Sequence, residues 1–275
     1  MHLDGSPRPG LQGAVRARLG RALWDLERFG ITPRGLVRRL RPGDGPRVLS
    51  ISIPKAGTHL VERALCSHPD LHRRLTRTVF PQQVERLEHL LDRQRAGEVI
   101  CAHLHSTERV RAAVERHAPR VLFVVRDPRD VVVSQAHYVA ARRDHAWHDA
   151  VRDKPDLRER VRVFIDGDPD RGISGIGRVL DLYSGWLDLP GVRVVRYENL
   201  IDPEARPGEV AALFGWLGVR DDPGLAARIA RRLISSQSVT FRRGTTGEWR
   251  EVMDDELLAA FQRAAGDRLA RYGYA

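Results

Sequence analysis

The chain has 275 residues, enough for one large domain with its own core, and carries a formal charge of +10 with a pI of about 10.6. Its 46 basic and 36 acidic residues are interspersed, so an anionic small ligand suits the balance better than a nucleic acid, and no nucleic-acid partner is expected. Two cysteines, Cys66 and Cys101, make neither a disulfide framework nor a metal set; with no long apolar span and no signal-peptide core, a cytoplasmic location is the default expectation.

Residues 1–45 read as an N-terminal basic helical extension, and 46–275 as the main domain. Residues 1–10 are rich in proline and glycine. Leu11, Val15, Leu19, Leu23 and Leu26 then predict a basic amphipathic helix over 11–29. That helix is compatible with peripheral contact to a membrane surface or a partner, and covering the main core is the favoured role.

Residues 48–53 are apolar and β-branched, as in a buried strand of a parallel sheet, and Pro54 ends the run. Gly57 relaxes the backbone, and Thr58 is a good N-cap for a helix with Leu60, Val61, Ala64 and Leu65 on its apolar side. A strand, a glycine turn and a helix start together make an anion site, because the first helical N–H groups lack partners. Lys55 adds an ammonium there, and among the 46 basic residues only Lys55 and Lys154 are lysine. The turn is not the Walker P-loop, which places its lysine after a second glycine.

The pattern continues with a helix over 82–95, a strand over 98–103 ending in His103, and a helix capped by Ser106 or Thr107 that runs to 117. A strand over 121–125 runs into Arg126-Asp127-Pro128-Arg129-Asp130. Asp127 as N-cap, Pro128 as the first helical residue and Asp130 in the first turn mark a helix start. Arg126 is thereby expected at the carboxyl end of a strand, where open α/β sheets bind ligands, with Ser134 on the helix face shared with Asp130. Helices are expected over 157–165 and 176–187, with residues 166–170 as a loop between them. A strand over 192–197 follows, then helices near 209–217 and 223–234. A basic glycine-rich loop over 241–249 contains the pair Arg242-Arg243, a plausible clamp for a doubly charged phosphate, and a helix over 254–272 closes the chain. This alternation predicts an α/β fold: a doubly wound parallel sheet flanked by helices, with a P-loop-like phosphate turn.

Taken together, the stretches PKAGTHL, RDPRDVVVS, RYENL and RRGTTGEW resemble the sulfotransferases that use 3′-phosphoadenosine 5′-phosphosulfate (PAPS), in that family's order over residues 47–250. The resemblance implies transfer of a sulfuryl group to a hydroxyl or amine of a small-molecule, carbohydrate or natural-product acceptor, with release of 3′-phosphoadenosine 5′-phosphate (PAP) and no metal required. It implies that Lys55, Ala56, Gly57, Thr58 and His59 form the 5′-phosphosulfate loop. Arg126, Ser134, Arg242, Arg243 and Gly244 would hold the 3′-phosphate, and Tyr197 would lie near the adenine. His103, in CAHL, stands where the family carries its general base, and Lys55 would neutralise charge on the leaving phosphate. Leu60 stands in place of the family's adenine-stacking tryptophan, His59 in place of a threonine, and Cys101 in place of a lysine. The acceptor is expected under residues 68–98 and 140–190, which carry no motif; a homodimer is left open. Two rival readings stand beside this one: a P-loop-like nucleotide kinase, and a non-catalytic nucleotide-binding module.

Overall fold

The computed structural model describes residues 44–74, 76–220, 222, 224–234 and 244–275. The expected N-terminal helix, along with nearly all of the proposed extension, lies outside them. The opening apolar run forms β1 (Val48–Ser52), and the glycine turn leads into α1 (Thr58–Ser67). Next come β2 (His72–Arg73), α2 (Val84–Asp92), β3 (Glu98–Ala102), α3 (Glu108–His117), β4 (Arg120–Val125) and α4 (Pro128–Ala140). After α5 (His148–Val151) and α6 (Leu157–Asp166), a small antiparallel pair, β5 (Gly167–Asp168) and β6 (Ile173–Ser174), precedes α7 (Ile176–Asp188). The chain continues through β7 (Val192–Arg196), α8 (Tyr197–Ile201), α9 (Arg206–Leu217), α10 (Leu225–Leu233), α11 (Trp249–Val252) and α12 (Asp255–Leu269).

The main sheet has the order β2-β3-β1-β4-β7, and all of its pairings are parallel. Side chains alternate across it, as the strand period of two requires. Leu49, Ile51, Ile100, Val121 and Phe123 pack with residues of α4, α6, α7 and α12 on one face. Val48, Val99, Cys101, Leu122 and Val124 pack with α1, α9 and α10 on the other. Burial on both faces explains why these strands read as continuous apolar runs. From β1 the chain runs to β2 and β3 on one side and then crosses to β4 on the other, so the connections switch sides between β1 and β4 while every strand stays parallel. A crevice opens at such a switch point, outside the carboxyl ends of the strands.

Three local expectations need correction, and a fourth holds with an addition. Gly57, not Thr58, is the N-cap of α1; Thr58 is the first helical residue, and its hydroxyl bonds to Ser52 Oγ at 2.6 Å. The strand expected over 192–197 stops at Arg196, and Tyr197 opens a short helix. Residues 166–170 are not simply a loop, because Gly167 and Asp168 pair with Ser174 and Ile173. Asp127 does cap α4, accepting from Arg129 N at 2.9 Å, but the Asp130 carboxylate does more than open the helix. It accepts from the backbone N–H groups of Gly247 and Trp249, at 2.7 and 3.1 Å, and so ties the late glycine-rich segment to the start of α4.

Candidate functional site

The parallel register lines up the residues that follow the strands. Ile51 pairs with Ala102, Ser52 with Val124, and Val125 with Arg196. The residues just beyond these ends are Ile53 to Lys55, His103, Arg126 and Tyr197, and all of them line one cavity of about 620 Å³. The same cavity is bounded by Gly57, Thr58, His59, Ser134 and Gly244. Most of the expected site residues therefore meet in one place. Ala56 does not: it is fully buried in the core, and its N–H is spent on the Ile53 carbonyl at 3.0 Å. Arg242 and Arg243 lie outside the described residues.

The turn after β1 is conformationally demanding. Gly57 has φ of 106°, and a Cβ there would fall 2.6 Å from Cδ2 of Tyr197, so this position needs glycine on two counts. Lys55 also sits in the left-handed region, at φ of 70°, a conformation that costs a non-glycine residue about 1–2 kcal/mol. No residue pattern signals that strain. By helix geometry the first N–H groups of a helix fall outside its own hydrogen-bond ladder, and the N-terminal end of α1 lies at the cavity.

Arg126 is buried, and its guanidinium is fixed on several sides. It donates to the Lys55 carbonyl at 3.4 Å and to the Thr245 carbonyl at 3.3 Å, and lies 4.4 Å from the centroid of the Tyr197 ring. Asp130 Oδ2 is 3.7 Å away. Its Nε has no hydrogen-bond partner among the described residues, although a buried donor left unmade is costly. Such a group suits an anion that completes its bonding. Around it, Asp127 N–H donates to Glu198 at 2.9 Å, and the Tyr274 hydroxyl donates to the same carboxylate at 2.8 Å. Glu198 thus joins the start of α4 to α8 and to the last residues of the chain, a role that the RYENL stretch did not disclose.

His103 follows β3 and is held from two sides. Trp186 Nε1 donates to the Leu104 carbonyl at 2.8 Å, and Ser106 N–H to the Leu182 carbonyl at 2.9 Å, so α7 fixes the chain as it leaves the strand. The Nδ1 of His103 lies 2.8 Å from the Ser52 carbonyl, which can only accept; Nδ1 therefore carries the proton, and Nε2 keeps its lone pair. Burial pushes this imidazole down from 6.5 to about 4, aided by the nearby His59 and Lys55, against the bond to Ser52. It is neutral at physiological pH. His105 also reaches the cavity wall, edge-on to Tyr183 with centroids 5.2 Å apart, and burial lowers its pKa as well.

Much of the remaining cavity wall is apolar. Val131, Val132, Trp147, Phe164, Ile176, Val179 and Leu182 contribute to it, drawn from α4, α6, α7 and the segment before α5, as do Pro81 and Phe80, whose ring centroid lies 5.5 Å from that of His103; Gln82, Gln135 and His145 are polar members of the lining. Both stretches without motifs, 68–98 and 140–190, contribute to this wall. No helix among the described residues is long and apolar enough to cross a membrane.

A family profile described as "Sulfotransferase domain" matches residues 45–233. Among solved structures, the chain is similar to mouse sulfotransferase SULT7A1 complexed with PAP, at 18% identity and a TM-score of 0.62, covering 82% of this chain and 85% of the other. It is also similar to retinol dehydratase in a complex with retinol and PAP, at 14% identity and a TM-score of 0.54, covering 82% of each chain. No curated protein matches the sequence.

Proposed function

The chain belongs to the sulfotransferase-domain family, and we propose that it transfers a sulfuryl group from PAPS to a hydroxyl carried on an apolar small molecule. The observation that carries this reading is the pairing of two anion sites in one cavity. The helix start at Thr58 lies on one side of β1, and the buried Arg126, with its unsatisfied Nε, follows the adjacent β4. A nucleotide with phosphates at both 3′ and 5′ positions suits that pair, and the PAP found in both structural neighbours supports the match. Gly57, Thr58, His59 and Lys55 would hold the 5′ end; Arg126, Ser134 and Gly244, with Arg242 and Arg243, the 3′-phosphate. Tyr197, packed on Gly57 and Arg126, would border the nucleoside. The mostly apolar wall favours a hydroxyl on a hydrophobic molecule over a glycan, whose many hydroxyls outnumber the polar side chains such as Gln82, Gln135 and His145 there.

In the reaction, the acceptor oxygen forms a bond to sulfur as the bond from sulfur to the bridging phosphate oxygen breaks. The electron pair of the broken bond stays on the phosphate of PAP. The acceptor proton passes to Nε2 of His103, which the Ser52 carbonyl leaves as the basic nitrogen. Lys55 meets the charge growing on the leaving phosphate. Positioning and charge stabilisation do most of the work, as in phosphoryl transfer.

The test is incubation of the full chain with sulfur-labelled PAPS and a panel of acceptors: 2-naphthol, an aliphatic alcohol, an arylamine and an oligosaccharide. Label should move to 2-naphthol with stoichiometric PAP, and PAP should raise the melting temperature well above the effect of ADP. A ligand binding only the folded state at 100 times its Kd adds about 2.7 kcal/mol. Equal shifts from PAP and ADP, or label moving only to the oligosaccharide, would reject the reading.

A further inference from the structure

One contact inside the cavity has no part in the reaction as written. The ammonium of Lys55 sits 3.8 Å from the centroid of the Tyr138 ring, on α4 one turn beyond Ser134. An aromatic face attracts a cation through its quadrupole, and at this distance the two groups are in contact. The ring is itself secured. Its hydroxyl accepts from Arg142 Nη1 at 3.2 Å, Arg142 pairs with Asp144 at 3.1 Å, and His145 packs edge-on with centroids 5.7 Å apart. Lys55 is thus held at both ends: its carbonyl accepts from Arg126, its backbone is locked in the left-handed region, and its ammonium rests on Tyr138.

We propose that Tyr138 is a positioning residue for Lys55: its ring holds the ammonium inside the cavity, close to where charge appears on the leaving phosphate. The proposal rests on the sulfuryl-transfer reading. A lysine stem has four carbons and many rotamers, so an ammonium without such a seat would spend much of its time elsewhere. Restricting it acts on the step in which charge develops rather than on donor binding, which the backbone turn and Arg126 provide. The competing role for Tyr138 is plain: it also lines the cavity, where it could serve only as a wall for the acceptor. The two roles differ in what happens once Lys55 is gone.

The experiment is a cycle of Tyr138→Leu, Lys55→Ala and the double variant, with Tyr138→Phe as the conservative control, assayed with PAPS and 2-naphthol. Tyr138→Leu should lower kcat about tenfold with both KM values within about twofold, and Tyr138→Phe, which keeps the ring, should recover most of it. In the Lys55→Ala background, Tyr138→Leu should change kcat by less than about twofold. An undiminished loss in that background, a loss appearing in the 2-naphthol KM, or no recovery by Tyr138→Phe would overturn the proposal. Should Tyr138→Leu melt well below the wild type, Tyr138→Met gives the same comparison. If 2-naphthol is a poor acceptor, single-turnover breakdown of PAPS to PAP and sulfate supplies the rate, with the same outcomes deciding. Failure of the wild-type chain to bind PAP would instead strike the sulfotransferase reading itself.

Discussion

The two ends of the cavity are built by different means. At the proposed phosphate end, the elements that stand out are backbone conformations and a buried charge: Gly57 at φ of 106°, Lys55 at 70°, the helix starts at Thr58 and Pro128, and Arg126 with its buried guanidinium. Few residue types can occupy such positions, so the sequence there is constrained. At the proposed acceptor end the wall includes Val131, Val132, Phe164 and Ile176, which also belong to the core on that face of the sheet. Any apolar side chain of similar volume keeps such a wall intact. Chemistry that depends on backbone geometry leaves a written trace, and chemistry that depends on shape does not.

The largest effect that would test this contrast concerns His103. Replacing it with alanine should lower kcat by roughly 10²–10⁴, the range for a general base, with PAP affinity nearly unchanged. Alanine variants at 59, 105 and 145, measured alongside, separate it from the other three histidines that line the cavity. A position 103 variant that kept near-normal turnover while any of the others collapsed would move the base elsewhere. The pH profile sharpens the point. In the free enzyme His103 stays neutral down to about 4, so the acid limb of kcat/KM should lie near that value. The negative charge of the donor beside the imidazole favours its protonated form, so the limb of kcat should lie higher.

At the phosphate end, Arg126→Ala and Lys55→Ala should part ways. Arg126 would bond to phosphate throughout the reaction, so its loss should weaken PAP by about 10- to 100-fold, as for a charge-assisted hydrogen bond. Lys55→Ala should fall mainly on kcat, since its partner gains charge only as the reaction proceeds. Calorimetric titration with PAP beside steady-state kinetics separates the two. A Lys55→Ala enzyme with normal kcat and weakened PAP would undo the division of labour.

His103 also affects stability, by a smaller amount. Its imidazole binds a proton less readily in the folded chain than in the unfolded one. The unfolded state therefore takes up more protons between about 6.5 and about 4, and stability is lost as the pH falls through that window. His103→Gln should flatten this part of the profile by roughly 3 kcal/mol at most, because each tenfold change in proton affinity is worth about 1.4 kcal/mol. Denaturant midpoints at pH 7 and pH 4.5 would show it, and equal pH dependence in both proteins would mean that the imidazole ionises in the folded state as it does when unfolded.

Much of the fold was legible because periodicity and punctuation agree. The strands at β1, β3 and β4 are largely apolar runs bounded by Pro54, His103 and Arg126, β7 is a valine-rich run bounded by Tyr197, and α3 and α4 begin at marked caps, Thr107 and Asp127. What stayed hidden is short or depends on distant partners. β2 has two residues, too few for a period, and is defined only by pairing with β3. Asp130 looks like a first-turn acid in sequence, while its carboxylate reaches residues more than a hundred positions away. Glu198 receives Asp127 N–H and the Tyr274 hydroxyl, neither of which a local pattern can reveal. Of the site, the stretches after β1 and β4 could be read from residue type and order; the strain at Lys55 and the seat on Tyr138 could not.

The smallest expected effect lies at the acceptor end. Phe164 on α6 lines the cavity and packs in the core, within 6.3 Å of the Trp147 ring centroid. Phe164→Leu keeps the wall apolar while removing ring volume, so it should shift the balance between a flat and a bulkier hydroxyl acceptor by only a few-fold, about the value of one or two methylene groups. The stability cost should be about 1 kcal/mol, with PAP affinity little changed, because Phe164 reaches Lys55 only through a chain of ring contacts, by way of Trp147, His145 and Tyr138. Competition between 2-naphthol and a saturated polycyclic alcohol in one reaction reads the preference directly. A matching loss of PAP binding would show that the ends are mechanically joined. An unchanged acceptor ratio would mean that the acceptor does not reach α6, and that the apolar wall serves the core alone.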